Sequence, residues 1–91
     1  MAPYMGGSAP AMAEQVAAGY TLITAVQLKR LLDPELDQLQ FELEHILRDL
    51  RGEAVDLSDV AALQVRNRKI ARISGAIQQI NATRAMRRRH G

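Results

Sequence analysis

Cysteine is absent from this 91-residue chain, which removes disulfides, thiolate zinc sites and cysteine nucleophiles together. Tryptophan is absent too, and Tyr4, Tyr20 and Phe41 are the only aromatic residues. That is too few to build a platform on which bases stack, so any recognition of nucleic acid has to be electrostatic. No run approaches the ~20 consecutive apolar residues that cross a bilayer, so no membrane partner is expected. The first eighteen residues lack the basic start and continuous apolar stretch of a signal peptide. At this length one small domain is the ceiling, its isolated fold is expected to be only marginally stable, and a partner is expected.

Acidic residues are missing from the last third of the chain. The net charge of +2 conceals this. Residues 1–32 carry Lys29 and Arg30 against Glu14, and residues 33–59 hold nine acids against Arg48 and Arg51. From Val60 to Gly91 there are eight Lys or Arg and no acid. Such a division is a statement about partners, because the basic end attracts polyanions.

The spacing of apolar residues predicts an all-α chain, an antiparallel two-helix hairpin with a short N-terminal helix leading into it and flexible ends. Residues 1–20 read as a flexible extension, since Gly, Ser, Pro and Ala present no periodic apolar face. Thr24 stands three residues before Gln27, the capping-box spacing, and predicts a short helix over about Ala25–Leu32. Asp33-Pro34 interrupts it, with Asp33 read as a cap and Pro34 as the opening of a helix that runs to about Arg51. Leu36, Leu39, Leu43, Ile46 and Leu50 form its stripe, and Gly52 is read as its terminator. Asp56 or Ser58 is expected to cap a last helix running to about Ala85, with Leu63, Ile70, Ile73, Ile77 and Ile80 as its stripe. The hairpin domain then spans residues 21–85, and residues 86–91 form a basic tail.

At 100° per residue, Arg68 and Arg72 fall opposite the isoleucines, Lys69 on a shoulder, and Arg66 inside the stripe. Arg87, Arg88 and Arg89 lie beyond the hairpin. Cations so placed are out of reach of the neighbouring helix and suit phosphate, although the acidic helix can also pair with the basic one. His45 and His90 lie far apart without other ligands, so no metal and no cofactor is expected. Glu42, Glu44 and Asp49 read as solvated carboxylates rather than acid–base catalysts, and the chain is not expected to be an enzyme.

The segment Thr83-Arg84-Ala85-Met86-Arg87-Arg88-Arg89 resembles a Thr-Arg-Ala-Met-Arg-Arg-Arg segment that follows the hairpin in eukaryotic members of a ribosomal family, the universal large-subunit protein twenty-nine family. Val65-Arg66-Asn67-Arg68-Lys69-Ile70-Ala71-Arg72-Ile73 is similar to that family's second long helix, with one extra residue before Ile70. Gln27-Leu28-Lys29-Arg30-Leu31 resembles its short leading helix, and the run from Glu35 to Arg51 has the spacing of its first long helix. The resemblance covers about Ala25 to Arg89. It implies a structural protein of the large ribosomal subunit, in the cytoplasm, bound to ribosomal RNA and neighbouring ribosomal proteins near the nascent-chain exit. Matching positions would place Arg66, Arg68, Arg72, Arg84, Arg87, Arg88 and Arg89 on RNA phosphates, and Lys69 joins them by its place on the same helix. Asp37, Glu42, Glu44 and Asp49 depart from the family, whose first long helix is rich in lysine. A second reading is an interaction module, in which two hairpins pair into a four-helix bundle through Phe41, Leu47, Val60 and the isoleucines and bind duplex RNA by shape.

Overall fold

The computed structural model describes Tyr4 and residues 7–90, with His90 by its backbone alone, and the described residues are all-helical with no strand. Four helices follow one another: α1 (Ala9–Ala18), α2 (Ala25–Leu28), α3 (Asp33–Gly52) and α4 (Val60–His90).

Helix α1 lies where the sequence reading has a flexible extension. It is a correction with a local cause. Ser8 stands in extended backbone as the N-cap, its hydroxyl accepting from the Ala11 N–H at 3.2 Å, and Pro10 occupies the first turn, where its missing N–H costs nothing. Gly19, at a φ of +86°, closes the helix: its N–H reaches the Val16 carbonyl and the Tyr20 N–H reaches the Gln15 carbonyl, the paired bonds of a Schellman end. Between the caps, alanine supplies the highest helix propensity of any residue. The buried face is Met12, Ala13, Val16 and Ala17, mostly small side chains, and so it has little apolar contrast in the sequence. Residues 1–3, 5 and 6, also assigned to that extension, lie outside the described residues.

The capping box at Thr24 forms as expected, with the Gln27 N–H on the Thr24 hydroxyl and the Gln27 side chain accepting from the Thr24 N–H at 3.0 Å. Helix α2 is a single turn, shorter than expected, and residues 29–31 continue it with i→i+3 bonds such as Leu31 N–H to Leu28 C=O. Leu32, not Asp33, occupies the N-cap position of α3, and its N–H donates to the Glu35 carboxylate at 2.7 Å. Asp33 is the first helical residue and turns its side chain to Arg87. At the far end the cap of α4 is Asp59, whose carboxylate accepts from the Ala62 N–H at 3.1 Å. Asp56 and Ser58, the expected caps, instead bond to each other and shape the turn before it.

The contact between Arg66 and Leu50 pairs the start of α4 with the end of α3, and those of Arg84 with Asp37 and Arg87 with Asp33 pair the end of α4 with the start of α3, so the two long helices are antiparallel. Helix α1 packs on both. Its start lies near that of α3, where the Tyr4 hydroxyl donates to the Glu35 carbonyl at 3.0 Å, and its end lies beside Arg72. The core is therefore three-sided: Met12 and Val16 of α1, Leu36, Leu39 and Leu43 of α3, and Ile73, Ala76 and Ile80 of α4, closed by Leu28 and Leu31. Leu63 and Ile70, nearer the turn than α1 extends, are only half-buried, as is Ile77.

Candidate nucleic-acid interface

Helix termini leave carbonyl groups without helical partners, and a cation placed there satisfies them and complements the helix dipole. Three arginines of α4 do this, one for each other helix. Arg66 donates through Nε to the Leu50 carbonyl in the last turn of α3 at 2.9 Å. Arg72 donates to the Ala17 carbonyl at the end of α1 at 3.2 Å, its guanidinium lying against Gly19. Arg87 reaches the Leu28 and Leu31 carbonyls at 3.1 and 2.7 Å, which closes α2 and the turn after it. The basic helix thus serves as a post to which the ends of its neighbours are tied.

This changes the site read from sequence. The reading has Arg72 and Arg87 free for phosphate, whereas the structure gives each a carbonyl to hold. Nor do Arg87, Arg88 and Arg89 form a tail beyond the hairpin, because α4 continues unbroken to His90. Its last turns face the start of α3, where Arg84 pairs with Asp37 and Arg87 with Asp33 at 2.7 Å. The cations that the sequence offered to RNA, on a helix face and in a tail, fall into two groups of another kind. Arg66, Arg72, Arg84 and Arg87 are engaged within the fold, while Arg68, Lys69, Arg88 and Arg89 make no hydrogen bond or ion pair among the described residues.

The end of the molecule formed by α2 and the last turns of α4 is the basic one. An open cleft there is lined by Asp33, Asp37, Asn81, Arg84, Arg87 and Arg88. On the other side of α4, a smaller apolar depression is lined by Ala25, Lys29, Thr83, Met86 and Arg87. Lys29, left out of the sequence-based set with Arg30, thereby joins the same end as Arg88 and Arg89. The available signal was two adjacent cations closing a short helix, which gains meaning only once α2 is seen to dock on α4. Arg68 and Lys69 lie some twenty residues back along α4, on the order of 30 Å away at 1.5 Å per residue. Lys69 borders a recess with Glu53 and Asp59, so its surroundings include carboxylates.

His45 and Asp49 approach to 3.5 Å on the exposed side of α3, and the His45 ring stacks on Phe41. Among the described residues, no three His, Asp or Glu side chains gather as a set of metal ligands, and the side chain of His90 lies outside them. No described helix is long and apolar enough to cross a membrane. The chain was compared with protein-family models, with curated proteins and with solved structures, and nothing matches it in any of the three.

Proposed function

We propose that this chain is an RNA-binding structural protein, a constituent of the large ribosomal subunit that docks on ribosomal RNA through the basic end of α4 and acts by binding alone. The observation that carries the reading is the state of the last third of the chain. It has eight cations and no acid, and Arg88 and Arg89 stand at one end of the rod without a carboxylate partner among the described residues. Cations left free at one end of a 49 Å rod, with Lys29 beside them, supply the sequence-independent phosphate affinity that docking on folded RNA needs. The assignment to the large subunit rests on the resemblance of residues 83–89 to the ribosomal family, and on the order of the three weaker pieces before it. It places the protein in the cytoplasm, on the ribosome, with neighbouring ribosomal proteins as further partners.

Binding through this end differs from binding through one continuous face. Arg66 and Arg72 are occupied in tying α3 and α1, so their loss acts on the fold before it acts on RNA. Co-sedimentation tests the assignment: the tagged protein should travel with large subunits through a sucrose gradient and stay with them after a high-salt wash. A protein found only at the top of the gradient contradicts it.

A further inference from the structure

We infer that the cleft between the start of α3 and the end of α4 is a phosphate subsite, with Asp33 and Asp37 holding its arginines until an RNA backbone phosphate takes their place. The inference rests on the RNA-binding reading and names where one phosphate sits and what restrains the site when it is empty.

Arg84, Arg87 and Arg88 line the cleft together with Asn81, and among the described residues Asp33 and Asp37 supply its carboxylates. The positive end of α3 opens beside it, because Asp33 is that helix's first residue. Arg87 is oriented independently of its acid. Its Nη2 is fixed by the Leu28 and Leu31 carbonyls at 3.1 and 2.7 Å, which leaves Nη1 aimed into the cleft, where the Asp33 carboxylate meets it at 2.7 Å. An anion replacing that carboxylate finds the donor already in place, so little ordering cost remains.

The carboxylates are the weaker occupants. The Asp33 and Asp37 side chains are 74% and 66% exposed, while Arg87 and Arg84 are 31% and 29% exposed. Exposed ion pairs of this kind are screened by water and salt. A phosphodiester offers oxygens that several guanidinium groups share, the geometry in which arginine excels. Displaced acids stay hydrated, so their release carries little penalty. Asp33 and Asp37 therefore occupy the positions of phosphate oxygens and set a threshold that only a polyanion overcomes.

The test compares two variants of equal net charge, Asp33→Asn/Asp37→Asn and Glu42→Gln/Glu44→Gln, against a short RNA duplex by fluorescence anisotropy at several salt concentrations. Circular dichroism checks that both fold. Freeing the cleft should tighten binding several-fold beyond the control and steepen the logarithmic salt dependence by up to about 0.9, the value for one phosphate contact. In the unmodified protein, the NMR signals of the Arg84 and Arg87 Nε–H groups should shift as RNA is added. Inorganic phosphate alone should shift them only at much higher concentration. If the two variants bind alike and those signals stay in place, the subsite is refuted. The RNA-binding reading then still stands, provided Arg88→Ala/Arg89→Ala weakens binding. If RNA fails to bind even the unmodified protein, both fall together. Arginine signals that respond equally well to free phosphate overturn the assignment of the site to RNA.

Discussion

Met12→Ala separates a docked α1 from a flexible extension, because the Met12 side chain is 1% exposed in the structure and would touch nothing in a mobile tail. Truncating a buried methionine costs about 2 to 5 kcal/mol, through lost transfer energy and the cavity left behind. The lower half of that range applies, since α1 is a short layer at one side of the core and can settle toward α3 and α4. A loss of ~2 to 3 kcal/mol is a large part of the 5 to 15 kcal/mol that holds a typical domain together. For a domain of 60–100 residues, each kcal/mol shifts the melting temperature by about 4 to 8 °C, so Tm should fall by roughly 10 to 20 °C. The assay is thermal and urea unfolding followed by circular dichroism, with Leu22→Ala as the internal control. Leu22 is 81% exposed and lies only a few residues beyond α1, and its truncation should stay within about 0.5 kcal/mol. Equal and small effects from the two substitutions would refute the packing of α1, and with it the three-sided core.

Gly19→Ala should destabilise by ~1 to 2 kcal/mol, because a Cβ at a φ of +86° is strained and would meet the Arg72 guanidinium at 2.9 Å; an unchanged melting temperature contradicts the Schellman end. Arg87→Ala leaves the Leu31 carbonyl without its arginine donor and the Leu28 carbonyl with the Leu31 N–H alone, so amide exchange over residues 25–31 should accelerate while Arg89→Ala leaves it unchanged. The Asp56 carboxyl is held below its ordinary value of 3.8 by the Ser58 hydroxyl and then the Ser58 N–H. A lowered folded value means that its contribution to stability is present above the ordinary value and disappears as pH falls through the folded one. An NMR titration should place its midpoint below 3.8 and show it rising in Ser58→Ala, and a midpoint unmoved by that substitution contradicts the turn.

The elements with strong periodic contrast were legible. Leu36, Leu39, Leu43 and Leu50 recur at helical spacing among charged residues, and Ile73 and Ile80 do the same in α4, so the hairpin and its facing stripes follow from spacing alone. Helix α1 was not legible by that criterion, because Ala13 and Ala17 bury as fully as leucine yet contribute almost no contrast. Its signal lay in punctuation, with Ser8 and Pro10 at one end and Gly19 at the other. The candidate site was legible as charge and illegible as geometry. Periodicity places Arg72 on the outside of α4, but nothing in the local sequence says that the end of α1 will arrive there and claim it. The same holds for Arg87, whose three partners are 54 to 59 residues away in the chain. An arginine's reach makes it as suitable for tying distant helix ends as for phosphate, and only tertiary contacts decide between the two.

The placement of the RNA interface at the end of α4 is tested most directly by the salt dependence of duplex RNA binding in two double variants, Arg88→Ala/Arg89→Ala and Arg48→Ala/Arg51→Ala. Both remove two cations with no hydrogen bond or ion pair among the described residues, but the first pair lies in the acid-free end of α4 and the second among the carboxylates of α3. Losing Arg88 and Arg89 should weaken binding strongly and flatten the logarithmic salt slope by up to about 0.9 per phosphate contact, while losing Arg48 and Arg51 should change little. Equal losses from the two variants would show that only total charge matters, and would contradict the placement of the RNA interface at the end of α4.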